Sequence, residues 1–248
     1  MGILQKIVAN TKANLAHKKV ELPLEKIQSS LENLKLPRGK FKDHISSKDE
    51  AIIAEIKKAS PSAGVIKEDF DPTKIAMEYE SFGASALSIL TEEDFFMGSV
   101  EYLKEVKKIT SLPILRKDFM IDEYQIYESK LIGADCILLI ASILTDQEID
   151  NFINIAKKLE LDYLIEVHDE NELKRVEHFE DALIGVNNRN LETFEVDLNN
   201  SVRLRNKFKQ KNIFIAESGI KSREDMNYLK MNNIKVFLIG ESLMRGSF

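Results

Sequence analysis

The chain has a single cysteine, Cys136, in 248 residues. That excludes an internal disulfide framework and suits a reducing compartment. Cys136 lies in the apolar run Cys136-Ile137-Leu138-Leu139-Ile140, where it reads as a small buried hydrophobe rather than a nucleophile. There are only four histidines. His168 is a candidate base, but no second His or Cys stands near it with metal-ligand spacing, so it reads as a loop residue before a helix cap and no metal is expected. A basic excess is also missing. The net charge is −6, which gives no general attraction for nucleic acid. No apolar run is long enough to span a membrane. Residues 1–19 lack the long apolar stretch and small-residue cleavage site of a secretory signal, and Lys6 stands where an N-myristoylation signal wants Ser or Thr. A cytoplasmic location is the expectation. With five prolines and ten glycines, no Pro/Ser-rich linker divides the chain.

Short runs of Ile, Leu and Val recur about every 20–30 residues. Candidate strands are Ile52–Ile56, Ala86–Leu90, Pro113–Arg116, Cys136–Ile140, Tyr163–Val167, Leu183–Val186, Ile213–Ala216 and Val236–Ile239. Most lack polar alternation, as parallel strands covered on both faces should. Helix signals lie between them. Thr145 with Glu148, Asp169 with Glu172, and Ser222 with Asp225 resemble capping boxes, Asp71-Pro72 resembles a capped start, and Gly83 and Gly133 fit helix ends. This alternation predicts an α/β fold, a (β/α)8 TIM barrel. A doubly wound sheet is the alternative, but no Gly-x-Gly-x-x-Gly follows the first strand.

The whole chain, residues 1–248, reads as one barrel domain, with residues 1–48 as an N-terminal helical extension packed on it. Ile3, Leu4, Ile7 and Val8 repeat with helical spacing, as do Leu24, Ile27, Leu31 and Leu34. These helices either plug the barrel bottom, cover a side, or cap the mouth. At the other end only Glu241 to Phe248 follow the last strand, so the outer helix there looks truncated. The N-terminal helices or a second subunit would cover the surface left open. A monomer is expected, with an oligomer the alternative.

Barrel enzymes carry their chemistry at the C-terminal ends of the strands. Here those ends hold Glu55, Lys57 and Ser60; Thr91 to Phe96; Arg116-Lys117-Asp118-Phe119; Glu166-Val167-His168-Asp169; Asn187 to Asn190; Glu217-Ser218-Gly219; and Gly240-Glu241-Ser242. Glu55 and Lys57 share one face of the first strand, so they are either a buried structural ion pair or a working one. Together the strand ends make a ring of acids and bases with the makings of shifted proton affinities. Gly219 and Gly240 each precede a helical turn, where backbone N–H groups suit a phosphate, or else they are plain turn residues. Glu241 would repel a phosphate unless its side chain points away. Phe96, Phe119 and Leu138 either pack the core or offer a wall for a planar substrate.

These motifs, in this order, resemble the indole-3-glycerol-phosphate synthase family of tryptophan biosynthesis. The resemblance rests on Ile53-Ala54-Glu55-Ile56-Lys57 with Ser60-Pro61-Ser62, Leu87 to Thr91, Leu115-Arg116-Lys117-Asp118-Phe119, and Leu164-Ile165-Glu166-Val167. It continues through Gly185-Val186-Asn187-Asn188-Arg189, Ala216 to Ile220, and Leu238-Ile239-Gly240. It implies closure and decarboxylation of 1-(2-carboxyphenylamino)-1-deoxyribulose 5-phosphate to indole-3-glycerol phosphate, CO2 and water, with no cofactor or metal. It implies Lys117 as general acid, Glu166 as its acid/base partner in dehydration, and Lys57 orienting anionic groups. It further implies Glu55 and Glu217 holding the lysines, and Asn187 and Arg189 contacting substrate. The same pattern gives Ser218, Gly219, Gly240 and Glu241 (through its backbone) at the phosphate, and Ser60, Phe96, Phe119 and Leu138 around the aromatic ring. A sugar-phosphate isomerase on the same fold, or a binder on a decayed barrel, are the rival readings.

Overall fold

A computed structural model of the chain describes residues 2–34, 38 and 40–248. The part of the N-terminal extension at Met1, 35–37 and 39 lies outside the described residues. In chain order the elements are helices α1 (Ile3–Glu21), α2 (Leu24–Asn33) and α3 (Phe41–Ser46), then β1 (Ala51–Ile56) and a small hairpin of β2 (Ala59–Ser60) and β3 (Gly64–Val65). There follow α4 (Pro72–Phe82), β4 (Ala86–Leu90), α5 (Val100–Ile109), β5 (Ile114–Lys117), α6 (Glu123–Leu131) and β6 (Cys136–Ile140). The chain ends with α7 (Asp146–Lys158), β7 (Asp162–Val167), α8 (Glu170–Val176), β8 (Leu183–Asn187), α9 (Asn199–Lys207), β9 (Phe214–Glu217), α10 (Arg223–Met231), β10 (Val236–Ile239) and α11 (Glu241–Met244).

Eight parallel strands close in the order β1-β10-β9-β8-β7-β6-β5-β4, the TIM barrel that the alternating runs predict. All eight predicted strands are present, with ends shifted by a residue or so. The hairpin β2–β3 was not foreseen; its strands are too short to leave a periodic signal. Thr145 and Ser222 form complete capping boxes, and Asp71 caps α4 with Pro72 in its first turn. Asp169 caps α8, but the expected box there is not reciprocal. Glu172 accepts instead from the backbone N–H and the ring of His168.

The three N-terminal helices divide the roles that the sequence left as alternatives. In α3, Phe41 and Ile45 are fully buried and pack on Ala51, Ala86, Cys136, Leu183 and Val236 at the strand starts. The Lys42 N–H donates to Asp162 at the start of β7, which fixes this helix as the floor of the barrel. In α2, Leu24, Ile27 and Leu31 pack on Tyr124, Tyr127 and Leu131 of α6, covering a side. Leu34, expected on that face, is exposed. Helix α1 runs across the mouth. Asn10 and Asn14 bond Asp94, Lys18 pairs with Glu93, and Lys19 pairs with Asp122, all beyond the C-terminal ends of β4 and β5.

The last outer helix is a single turn, α11. The surface it leaves is partly filled by the chain's own Phe248, which meets Phe82 of α4 edge-on at 6.2 Å and lies under Arg223 of α10. No helix among the described residues is long and apolar enough to cross a membrane.

If α3 is the floor, Phe41→Ala should cost about 3–5 kcal/mol, the usual range for emptying a large buried aromatic site. Leu34→Ala, at an exposed position, should stay within about 0.5 kcal/mol of wild type. Urea unfolding of both variants checks this; equal, small losses would mean that α3 is not part of the core.

Candidate active site

Strand alternation builds the site. Inward positions at the bottom and middle of the barrel are apolar: Ala51 and Ile53, Leu115, Leu138, Leu164, Leu183, Ile215 and Leu238. The next inward position up the strand is Glu55 on β1, Lys117 on β5, Glu166 on β7 and Glu217 on β9. These groups therefore meet above a dry floor. They line a cavity of about 470 Å³ at the C-terminal mouth. The site residues that the family resemblance implied all line it: Glu55, Lys57, Ser60, Phe96, Lys117, Phe119, Leu138, Glu166, Asn187, Arg189, Glu217, Ser218, Gly219, Gly240 and Glu241.

The charges are paired. Lys117 Nζ lies 3.0 Å from Glu166 Oε2 and 3.4 Å from Glu217 Oε2. Lys57 Nζ lies 2.6 Å from Glu55 Oε1. Asn187 donates to the other oxygen of Glu166 at 3.1 Å, and the Arg189 N–H donates to Asn187 Oδ1. Burial alone would strip the Lys117 proton, but attraction from Glu166, Glu217 and Glu55 outweighs it, so its proton affinity is raised and it stays an ammonium. Burial likewise disfavours the Glu166 carboxylate, yet Lys117, His168 and Asn187 hold it ionised, well below the usual range. Glu217 goes the other way. Burial and the neighbouring Glu166 and Glu55 outweigh Lys117 and push it up to about 8. One lysine thus faces one firm carboxylate and one that holds a proton near neutrality, the split expected of an acid–base site.

Two glycines make room for these carboxylates. A Cβ on Gly185 would lie 2.1 Å from Glu217 Oε1, and one on Gly240 would lie 2.4 Å from Glu55 Oε1. Gly240 therefore serves the Glu55 carboxylate as well as the turn it opens. Gly219 has φ +83°, next to Ser218 at φ +64°, so this turn after β9 is left-handed at two consecutive residues. The strain of a non-glycine residue there is typical of functional turns. Glu241 is drawn to Arg245 at 3.1 Å and to Arg189 at 3.7 Å, which neutralises the carboxylate that threatened the phosphate reading.

On the apolar side, Phe96 and Phe119 meet at 5.9 Å between ring centroids, with Leu138 in the same wall. The wall is held by a residue that the sequence placed among the strand ends without giving it a role. Buried Glu92 accepts the N–H groups of Asp94, Phe95 and Phe96. Ile3, Leu4 and Ile7 of α1 close the cavity from above, and Leu191, Phe194 and Val196 close it from the loop after β8. That loop had no periodic pattern to betray it.

One charged residue sits otherwise than the sequence suggested. Arg116 is not on the rim. It points outward from β5 and is buried under α6, bonding Gln125 O, Ser129, Glu128 and Asp118. One residue of register separates it from Lys117, and register decides the face. His168 lies in the loop before the Asp169 cap, as read from the sequence, and from there places its Nε2 3.3 Å from Glu166 Oε1.

The model of the family described as indole-3-glycerol phosphate synthase matches residues 4–247 of the chain. Curated relatives of that name are similar over nearly their whole length. The one from Lachnoclostridium phytofermentans is 45% identical, covering 99% of this chain and 95% of its own. Those from Ruminiclostridium cellulolyticum and Clostridium acetobutylicum are 47% and 46% identical, covering 98% of this chain and 94% and 92% of theirs. Among solved structures, an N-acetylmannosamine-6-phosphate 2-epimerase from Clostridium perfringens aligns with a TM-score of 0.60, covering 82% of this chain and 92% of its own. At 14% identity it speaks for the barrel alone.

The raised Glu217 has a thermodynamic signature. Its folded-state value lies above the ordinary 4.5, so its stabilising contribution is full below 4.5 and is lost as pH rises toward about 8. Glu166 is lowered, so its contribution varies only below 4.5; His168 is raised from 6.5, so its own is lost only above that. Between those limits, wild type should lose urea resistance with rising pH relative to Glu217→Gln. Parallel curves for the two proteins would mean that Glu217 is an ordinary carboxylate.

Proposed function

The chain belongs to the indole-3-glycerol phosphate synthase family, and we propose how its own side chains divide the work of that reaction. The enzyme closes and decarboxylates 1-(2-carboxyphenylamino)-1-deoxyribulose 5-phosphate, giving indole-3-glycerol phosphate, CO2 and water in tryptophan biosynthesis. The observation that carries the assignment of roles is the buried Lys117 ammonium held between Glu166 and Glu217.

The aromatic carbon bearing the carboxylate attacks the ketone carbon, and Lys117 delivers a proton to the ketone oxygen, leaving a hydroxyl. The carboxylate departs as CO2, and its bonding electrons restore the aromatic ring. Water is then lost, which needs acid at the departing hydroxyl and a base for the proton that the new ring gives up. Glu166, kept as a carboxylate by its neighbours, is that base. Lys57, anchored by Glu55, faces the substrate's anionic groups and stabilises developing charge. Ser60, Phe96, Phe119 and Leu138 flank the benzoate ring, while Asn187 and Arg189 meet the polyol. The turns at Ser218-Gly219 and Gly240-Glu241 take the phosphate through backbone N–H groups.

One domain, with α1, α2 and α3 as its extension, fits the way these helices pack on the barrel. A monomer fits the use of Phe248 to cover the short C-terminal side, and a cytoplasmic setting fits a biosynthetic enzyme with one buried thiol. The rival isomerase reading finds little support. Cys136 is fully buried in the barrel interior, and burial pushes its thiol well up.

Indole fluorescence reads the reaction directly. Lys117→Ala should lower kcat by about 10³-fold, the range of a positioned general acid, with a much smaller change in KM. Near-normal turnover by this variant would refute the role. Activity on phosphoribosylanthranilate with none on the ring-closure substrate would restore the isomerase.

A further inference from the structure

His168 is the buried titratable group that the roles above leave unused. Its ring is clamped between two carboxylates. Nε2 lies 3.3 Å from Glu166 Oε1, and Nδ1 lies 3.0 Å from Glu172 Oε2. Glu172 also accepts the His168 backbone N–H at 2.8 Å, so the ring is tied to α8 twice. From α9, Asn200 donates to the His168 carbonyl at 3.0 Å and to the Asn187 carbonyl at 3.3 Å, fixing the backbone on the third side. Among the described residues, these two carboxylates are the charged groups in contact with the imidazole. Lys117, on β5, meets the opposite oxygen of Glu166.

We infer that His168, held by Glu172, is a positioning residue for Glu166: it fixes Oε1 and keeps the carboxylate ready as the base of dehydration. The inference rests on the reading of Glu166 given above. Glu166 then sits between two cations, Lys117 at Oε2 and an imidazolium at Oε1, with Asn187 completing the second oxygen's contacts. Lys117 also serves as acid and spends part of the cycle without its proton. In that interval His168 is the cation that still opposes protonation of Glu166. Burial works against a charged imidazole, but the facing carboxylates of Glu166, at ion-pair distance, and Glu172, hydrogen-bonded to Nδ1, outweigh it and push His168 up to about 10, so the charge persists through the neutral range. Glu172 plays toward His168 the part that a buried carboxylate plays in orienting a catalytic imidazole, fixing its ring and its charge. His168 itself transfers no proton in this scheme.

The test is the pH profile of kcat for indole formation in the full-length enzyme, for wild type, His168→Gln, Glu172→Gln and Glu166→Gln. His168→Gln should lower kcat about tenfold with KM within about twofold, and should move the acidic limb up by about one pH unit, because Glu166 loses an opposing cation. Glu172→Gln should move that limb the same way by less. It should also bring a basic limb down toward neutrality as His168 releases its proton more readily. In ¹⁵N NMR, both His168 ring nitrogens should report an imidazolium at about pH 8 in wild type and not in Glu172→Gln. Adding His168→Gln to Glu166→Gln should cost almost nothing further, since both act through one group. A His168→Gln profile superimposable on wild type would overturn the inference. If His168→Gln does not fold, a Glu172→Gln profile unchanged in both limbs overturns it equally. Should Glu166→Gln turn over normally, the reading of Glu166 falls and takes this inference with it. If Glu166→Gln is dead and the His168 variant is silent, only the inference falls.

Discussion

A lysine ammonium is buried at an inward position of a barrel strand, and the mouth of the molecule is arranged around that constraint. Placing an unpaired cation there would cost several kcal/mol. The structure meets this cost chiefly with the Glu166 carboxylate at 3.0 Å, with Glu217 beside it at 3.4 Å. Those carboxylates then need space and partners of their own. Gly185, whose Cβ would strike Glu217, supplies space; Asn187 and His168 supply partners for Glu166. Lys57 repeats the pattern on a smaller scale, with Glu55 as partner and Gly240 as the vacancy. Gly185 of β8 and Gly240 just after β10 thus answer to the carboxylates beside them.

The barrel does not seal its own ends, and the N-terminal segment supplies both closures. Helix α3 is short, and its apolar face, Phe41 and Ile45, fits the narrow floor. Helix α1 is long, and its polar side chains meet acidic groups on the rim while Ile3, Leu4 and Ile7 face the cavity. The rim contacts are exposed ion pairs and amide bonds, each worth little by itself. The floor is bonded by burial of large side chains, which is worth several-fold more. The two closures therefore differ in kind: the floor is held by burial in the barrel core, while the roof adds exposed polar contacts to the burial of Ile7 and Leu15.

Most of this was legible in the sequence because parallel barrel strands announce themselves. They are apolar on both faces, so their runs stand out, and catalytic groups must follow them. The inward direction of Lys117 and Glu166 comes from the same two-residue period. That period also explains the misreading of Arg116. A residue one position from the site in sequence lies on the opposite face of the sheet, under α6. What periodicity cannot give is contact between neighbours brought together by a bend. The chain turns after β7 so that His168 folds back on Glu166, and Glu172 follows the ring instead of completing a box with Asp169. Glu92 is similar: a carboxylate satisfying three backbone N–H groups has no sequence signature beyond its position in a turn. The loop carrying Phe194 and Val196 gave no signal either, since it reaches the cavity through irregular backbone.

The substrate sharpens the electrostatic argument, because it brings a carboxylate and a phosphate to a cavity that already holds several carboxylates. Were all of these ionised and unpaired, the site would repel its own ligand. Each is dealt with separately. Glu241 is taken up by Arg245 and Arg189 at the edge. Glu55 is neutralised by Lys57, and Glu166 is shared between Lys117 and His168. Glu217 is left with the weakest claim on a cation and keeps a proton to about pH 8. A bound proton cancels its negative charge, which is therefore not expressed in the cavity. The same carboxyl stands 3.4 Å from the ammonium that acts as acid. A site built to admit two anions therefore has a protonated acid beside its principal proton donor, as a consequence of admitting them.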